Sequence, residues 1–266
     1  MEFKNSASLE QSFARTESDA DATLKAATTV VSSVKKFRDA AKKGNLRELR
    51  RTMEAAEQAL AALRQQFTNA RDGWDLDEES YFSGTGFLSE VLEAARQAGV
   101  KIFERYGMIY CYPFLIRIKP QDRTIMIDKI IERRLRPSLL AKHLKELQNK
   151  PVRFKSQAFL ECLFSAYSKI LSHEINEALE RHKVIKLLDI YQLLTLLPGQ
   201  SREYTAEEFA RDIYLLDRSG VAKTTNGLVL TLVPPSTAGK TQRRSLRVIT
   251  EEGQEKSYYG ISFKRP

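Results

Sequence analysis

Three stretches of the chain carry residues whose types and spacing come close to known site chemistry. Gly239-Lys240-Thr241, inside "PPSTAGKTQRR" (234–244), has the ending of a phosphate-binding loop. Such a loop needs a first glycine five residues before the second, so that backbone N–H groups wrap the phosphates, and a helix behind it with its N-terminus facing them. Position 234 is proline, and the continuation "QRRSLRVIT" is basic and strand-like, so no nucleotide site is expected. What remains is a loop in which Lys240, Arg243, Arg244 and Arg247 have no acid among them, a tip suited to touching phosphates. The second stretch, "HEINEALERH" (173–182), resembles a zinc helix, but position 177 is Glu where the second histidine belongs. His182 lies about 180° round the helix from His173 at 100° per residue, so the pair does not share a face and the stretch reads as a charged surface helix.

The third is the most informative. Residues 129–155, "KIIERRLRPSLLAKHLKELQNKPVRFK", hold nine Lys and Arg against Glu132 and Glu146, and account for most of the chain's net charge of +9. Arg133, Arg134, Arg136, Lys142, Lys145, Arg153 and Lys155 are the candidate phosphate contacts, joined by the 240–247 loop. Leu139, Leu140, Leu144 and Leu147 at helical spacing are expected to anchor that helix to the core. Cations on a phosphate track neutralise charge without reading bases, so the binding expected is largely sequence-independent.

Nothing else points to catalysis. There is no G-x-S-x-G nucleophile elbow, and the sole Glu-x-Lys is Glu2-Phe3-Lys4. Three histidines and two cysteines supply no ligand quartet, so no metal and no cofactor are expected, and the protein is read as not an enzyme. The acidic stretch 72–79 lacks the spacing of a calcium loop and reads as a solvated linker, with Trp74 pinning it to a neighbouring surface. Cys111 and Cys162, both in apolar contexts, are expected to be buried thiols. The polar start "MEFKNSASLEQ" and the absence of any eighteen-residue apolar window point to a cytoplasmic, reducing location and no membrane contact.

The elements that would position these residues follow from periodicity. Residues 1–72 hold no proline and one glycine, Gly44, where two long helical patterns meet and fold back as an antiparallel hairpin. Leu46, Leu49, Met53, Ala56, Leu60, Leu63 and Phe67 form a heptad seam that packs on the first helix or holds a partner. Module 73–155 contains a helix, three strand-like runs ("VKIFERY", "MIYCYPFLIRI", "TIMIDKII") forming antiparallel hairpins, and the basic helix, with Pro137 in its first turn. Module 156–266 contains two or three buried helices and a helix opened by a Thr205/Glu208 capping box and closed by Gly220. A hairpin about Asn226-Gly227 and a pair formed by "LRVIT" and "YYGISF" follow.

"GVKIFERYGMIYCYP" and "GVAKTTNGLVLTLVP" each follow a helix with the order strand, glycine turn, strand, proline. Each resembles the last helix and wing of a winged-helix domain, a likeness of element order. The expected fold is therefore α+β: an N-terminal antiparallel helical hairpin followed by helix-plus-β-hairpin, winged-helix-like modules. The expected function is a nucleic-acid-binding accessory subunit, with DNA favoured over RNA, whose arm docks a protein partner or self-associates. The alternative is a protein-protein scaffold or adaptor for a motor or helicase in a multi-subunit complex.

Overall fold

The computed structural model describes residues 8–236 and 244–265. The chain forms two compact units, Met1–Gln97 with Ile118–Ile125 and Glu132–Lys142, and Ala98–Arg117 with Met126–Ile131 and His143–Pro266. The class is mixed α+β, with the long helical pair at the N-terminus.

The first unit is built on that pair, α1 (Leu9–Lys42) and α2 (Leu46–Asp72). Gly44 takes φ +67, a left-handed conformation that glycine adopts without a Cβ penalty, and the Asn45 side chain caps α2 by accepting from the Glu48 N–H at 3.1 Å. The helices pack as expected, but through a different seam. On α1 the inward positions include Ser12, Thr16, Thr23, Ala26, Ser33 and Ala40; on α2 they include Leu49, Thr52, Ala56, Ala59, Leu63 and Gln66. Leu46, Met53, Leu60 and Phe67 lie beside this seam and outside it, with exposures of 71, 49, 52 and 59%. Small side chains let two helix axes approach closely, and a seam rich in Ser, Thr and Ala has no room for the larger set.

Two carboxylates tie the hairpin into its unit. Glu90, on α4 (Gly86–Gln97), accepts from the backbone N–H of Leu9 at 2.9 Å and Glu10 at 3.1 Å, and also from the hydroxyls of Ser8 and Tyr81. Glu10 in turn accepts from the Ser138 N–H and hydroxyl, both at 2.9 Å, at the start of α5 (Pro137–Gln148). Each places negative charge where a helix leaves its first N–H groups unpaired. Trp74 packs edge-on against Phe13 at 5.4 Å, pinning the 72–79 stretch as the sequence suggests. Asp77 caps α3 (Glu78–Ser83), while Asp75 pairs with Arg15 and Glu78 with Arg123. Of the leucines expected to anchor α5, Leu140 and Leu144 are buried, whereas Leu139 is 53% exposed. Consecutive residues lie about 100° apart on a helix, so a face centred on 140 and 144 turns 139 outward.

The strand-like runs form a five-stranded sheet in sequential order: β1 (Phe103–Arg105), β2 (Met108–Cys111), β3 (Phe114–Lys119), β4 (Thr124–Ile127) and β5 (Ile130–Glu132). Five strands replace three because Pro113, which has no N–H, divides the second run, and Asp128, at φ +51, divides the third. Cys111 lies buried in β2, and burial pushes its thiol up to about 12 despite a hydrogen bond involving Gln148. Cys162, expected inside, is exposed. It sits on α6 (Ser156–Leu171) beside Leu163, and only the latter turns inward.

The rest of the second unit runs α6, a 3₁₀ turn (Ser172–Glu174), α7 (Ile175–Glu180), β6 (Ile185–Lys186), α8 (Leu187–Leu194), α9 (Gln200–Glu203), α10 (Ala206–Ser219), β7 (Val229–Val233), β8 (Leu246–Ile249), β9 (Glu255–Tyr258) and β10 (Gly260–Lys264). Strands β6, β10 and β7 form one sheet in that order, all antiparallel, over a core that includes Leu160, Tyr167, Ile190, Phe209, Ile213 and Phe263. Helix α6 packs against both α8 and α10 beside this sheet, and β8 and β9 form a separate antiparallel hairpin between β7 and β10 in the chain. Thr205 and Glu208 make the expected capping box, and Gly220 closes α10 at φ +69.

Two pairings differ from expectation. The Asn226-Gly227 turn forms, but residues before it give only a Lys223–Val229 bridge, and the main partner of β7 is β10. "YYGISF" is divided: Tyr258 ends β9, the partner of β8, and Gly260 begins β10. A Cβ at Gly260 would stand 2.7 Å from the Ile185 carbonyl oxygen, so this close crossing of β6 needs a glycine.

Candidate nucleic-acid interface

The candidate cations fall into both units. In the first, Arg134 forks onto Glu132, with Nε 3.0 Å from Oε1 and Nη2 2.5 Å from Oε2. Arg136 bridges Glu10 at 2.7 Å and Glu17 at 2.6 Å. Burial works to raise the Glu10 carboxyl, but hydrogen bonds from Arg136 and Ser138 outweigh it and hold it below the usual carboxylate value. Both arginines are therefore committed to internal carboxylates. Arg133 and Lys142 are exposed and make no ion pair among the described residues.

In the second unit, Lys145 donates to the Ala98 carbonyl at 2.7 Å. Arg247, on β8, lies 3.7 Å from Glu255 and over the Tyr106 ring at 5.9 Å. Arg153, Lys155 and Arg244 are exposed and unpaired among the described residues, and Lys150 of the same basic segment joins them. Lys240 and Arg243 lie outside the described residues.

Lys150 and Arg153 stand at a cavity of about 660 Å³. Its apolar wall includes Pro113, Phe114, Val152, Phe154 and Leu215, and its polar wall is Asp128, Arg211 and Asp212. Immediately beyond, Lys155 precedes α6, whose first turn receives no side-chain cap. The polar wall is an internally satisfied network. Arg211 donates to Asp128 at 2.7 Å and to Asp212 at 3.1 Å; Tyr204 donates to Asp212 at 2.7 Å; and the Leu115 N–H donates to Asp128 at 2.9 Å. Burial pulls Arg211 down, but Asp212 and Asp128 more than restore it, so its pKa is raised. Burial also raises Asp212, and its partners offset this only in part.

This network was not anticipated. Its sequence signal is Arg211-Asp212 in the middle of a helix that carries apolar residues on every side, a place where charge survives only when paired. The pairing brings a consequence for recognition. In a DNA-reading winged-helix domain the last helix lies in the major groove with its side chains free. Here Glu208, Phe209, Ala210, Ile213, Tyr214, Leu215 and Leu216 are buried, and β8 and the Tyr112 turn cover α10, the latter through a Tyr112–Tyr214 ring contact at 5.7 Å. The Glu207 carboxylate on its first turn is 3.5 Å from Arg117. Helix α10 is therefore a core element, with only Glu207, Arg218 and Ser219 of its residues exposed.

Among the described residues, no three His, Cys, Asp or Glu side chains converge as a metal-binding group. No helix among them is long and apolar enough to cross a membrane. The chain matches no protein-family model, no curated protein and no solved structure.

Proposed function

We propose that the protein is a non-enzymatic accessory subunit that binds nucleic acid through phosphate contacts, made in its second unit by Lys150, Arg153 and Lys155 and by Arg244, just before β8. The observation that carries this reading is the contrast within that unit: the unpaired Lys150 and Arg153 border a cavity lined by Phe114 and Phe154, while helix α10 is buried and partly acidic. Backbone contact without groove reading gives binding that depends steeply on salt and weakly on sequence. Arg134 and Arg136 are left out of this surface, since their charge is already neutralised by Glu132, Glu10 and Glu17.

The test is a salt titration of binding to labelled oligonucleotides of unrelated sequence. Affinity should fall steeply with salt and differ little between sequences, and K150A/R153A/K155A should flatten the log–log salt slope by roughly 3. Binding indifferent to salt, or unchanged in the triple variant, would remove the proposal. Failure to bind, together with a protein partner that survives nuclease treatment during purification, would move the protein to the adaptor class.

A further inference from the structure

The hairpin's heptads show an asymmetry independent of any nucleic-acid reading. With the inward residues as a and d, the next position, e, holds Leu46, Met53, Leu60 and Phe67 on α2, and Phe13, Ala20, Ala27, Val34 and Ala41 on α1. The local twofold relating antiparallel helices runs from one flank of the pair to the other, so equivalent positions share a flank. All of these therefore line one side, extended by Leu24 and Val31 at 65 and 53% exposure. The opposite flank, position g, carries Arg15, Ala22, Thr29 and Lys36 with Glu48, Ala55, Ala62 and Asn69. Phe13 is covered by Trp74; the large apolar residues further along are open to water. Four large side chains at seven-residue spacing are a coiled-coil repeat facing outward, a pattern that marks an interaction surface.

Charge along the arm indicates what covers it. Around the turn, residues 35–51 hold eight Lys and Arg against Asp39 and Glu48. At the other end Glu10 and Glu17 are held by Arg136, Asp72 by Arg71, Asp75 by Arg15 and Glu78 by Arg123, which leaves Asp19, Asp21, Asp77 and Glu79 without an ion pair among the described residues. The arm is electrically polar along its length, so its best complement is another arm running the opposite way. We propose that a second copy of the chain docks on this flank, antiparallel, about a twofold axis between Met53 and Leu60. Met53 then meets Leu60 of its mate, Leu46 meets Phe67, and the basic turn lies beside the acidic end carrying Asp19 and Asp21. Such an interface is isologous and closes as a dimer.

The test uses the full chain. Sedimentation velocity should give twice the chain mass. M53E/L60E should halve that mass with an unchanged circular dichroism spectrum, because both positions are solvent-facing in the free hairpin. A55E/A62E, on the other flank, should leave the dimer intact. Orientation is read by cross-linking in a C162S background: a mixture of L46C and F67C chains should form a disulfide-linked pair. L46C alone should not, since two Leu46 sites would stand about 30 Å apart. A monomeric wild type, dissociation by A55E/A62E but not by M53E/L60E, or a ready L46C homodimer would each overturn the proposal. Loss of nucleic-acid binding with the dimer intact would count only against the functional reading above.

Discussion

Helix α2 and helix α10 place their large apolar residues in opposite ways. In α10, Phe209, Ile213, Tyr214 and Leu216 are inside, and the charged pair Arg211-Asp212 between them is drawn in and neutralised. In α2, Leu46, Met53, Leu60 and Phe67 are outside, and the packed side is Thr52, Ala56, Ala59 and Gln66. One helix is a wall of a core and holds its unit together. The other depends on helix propensity, on caps and on a narrow seam, and it leaves its strongest hydrophobic stripe available. The difference teaches that hydrophobic periodicity identifies a contact face without saying which molecule provides the contact.

The largest expected effect lies on the α10 side. Phe209→Ala should cost about 3–5 kcal/mol in urea unfolding, while Leu60→Ala, outside the hairpin seam, should cost less than about 0.5 kcal/mol in a monomeric M53E background. Similar losses at both positions would break the contrast. Arg211→Met comes next: it leaves the half-buried Asp128 and Asp212 without their cation, and should cost about 2 kcal/mol by the same measurement.

Smaller effects sharpen the comparison at the helix starts. Thr205→Ala removes the α10 capping box and should cost about 1 kcal/mol. Glu10→Gln weakens the cap on α5 by a similar or smaller amount at neutral pH, about 0.5–1 kcal/mol. The sign of its pH dependence follows from the direction of the shift. The Glu10 carboxyl is held below its ordinary value of 4.5, so its contribution is fully present above that value and disappears as pH falls through the lowered one. Wild type and Glu10→Gln should therefore converge in stability in acid, and a gap that widens there would show that Arg136 and Ser138 do not stabilise the charged form.

Local signals were legible in proportion to how local their causes are. The Gly44-Asn45 break, Pro137 at the start of α5, the Thr205/Glu208 box and the Gly220 stop all depend on a few neighbouring residues, and all appear. Pairings set by distant residues did not read correctly. Strand β7 takes β10 over the nearer 221–223 stretch, and β6 is two residues set among helical sequence, visible only because Ile185 meets Ile261. Apolar spacing does not fix the α2 seam, because Leu49, Ala56 and Leu63 belong to both the a/d and the a/e pattern, and only the small residues of α1 choose between them. At the candidate interface, composition identified the cations but not their partners. Glu10 and Glu17 reach Arg136 from more than a hundred residues away in sequence, and no charge count reveals that.

The claim on which the functional account turns is that polyanion contact belongs to the 150–156 segment and leaves α10 untouched. Hydrogen–deuterium exchange of the full chain, with and without a saturating oligonucleotide at low salt, tests it residue by residue. The account predicts new protection across 150–156 with exchange in 206–219 slow and unchanged. Protection that instead builds across 206–219, with 150–156 unaffected, would contradict it and return α10 to the role of a reading helix.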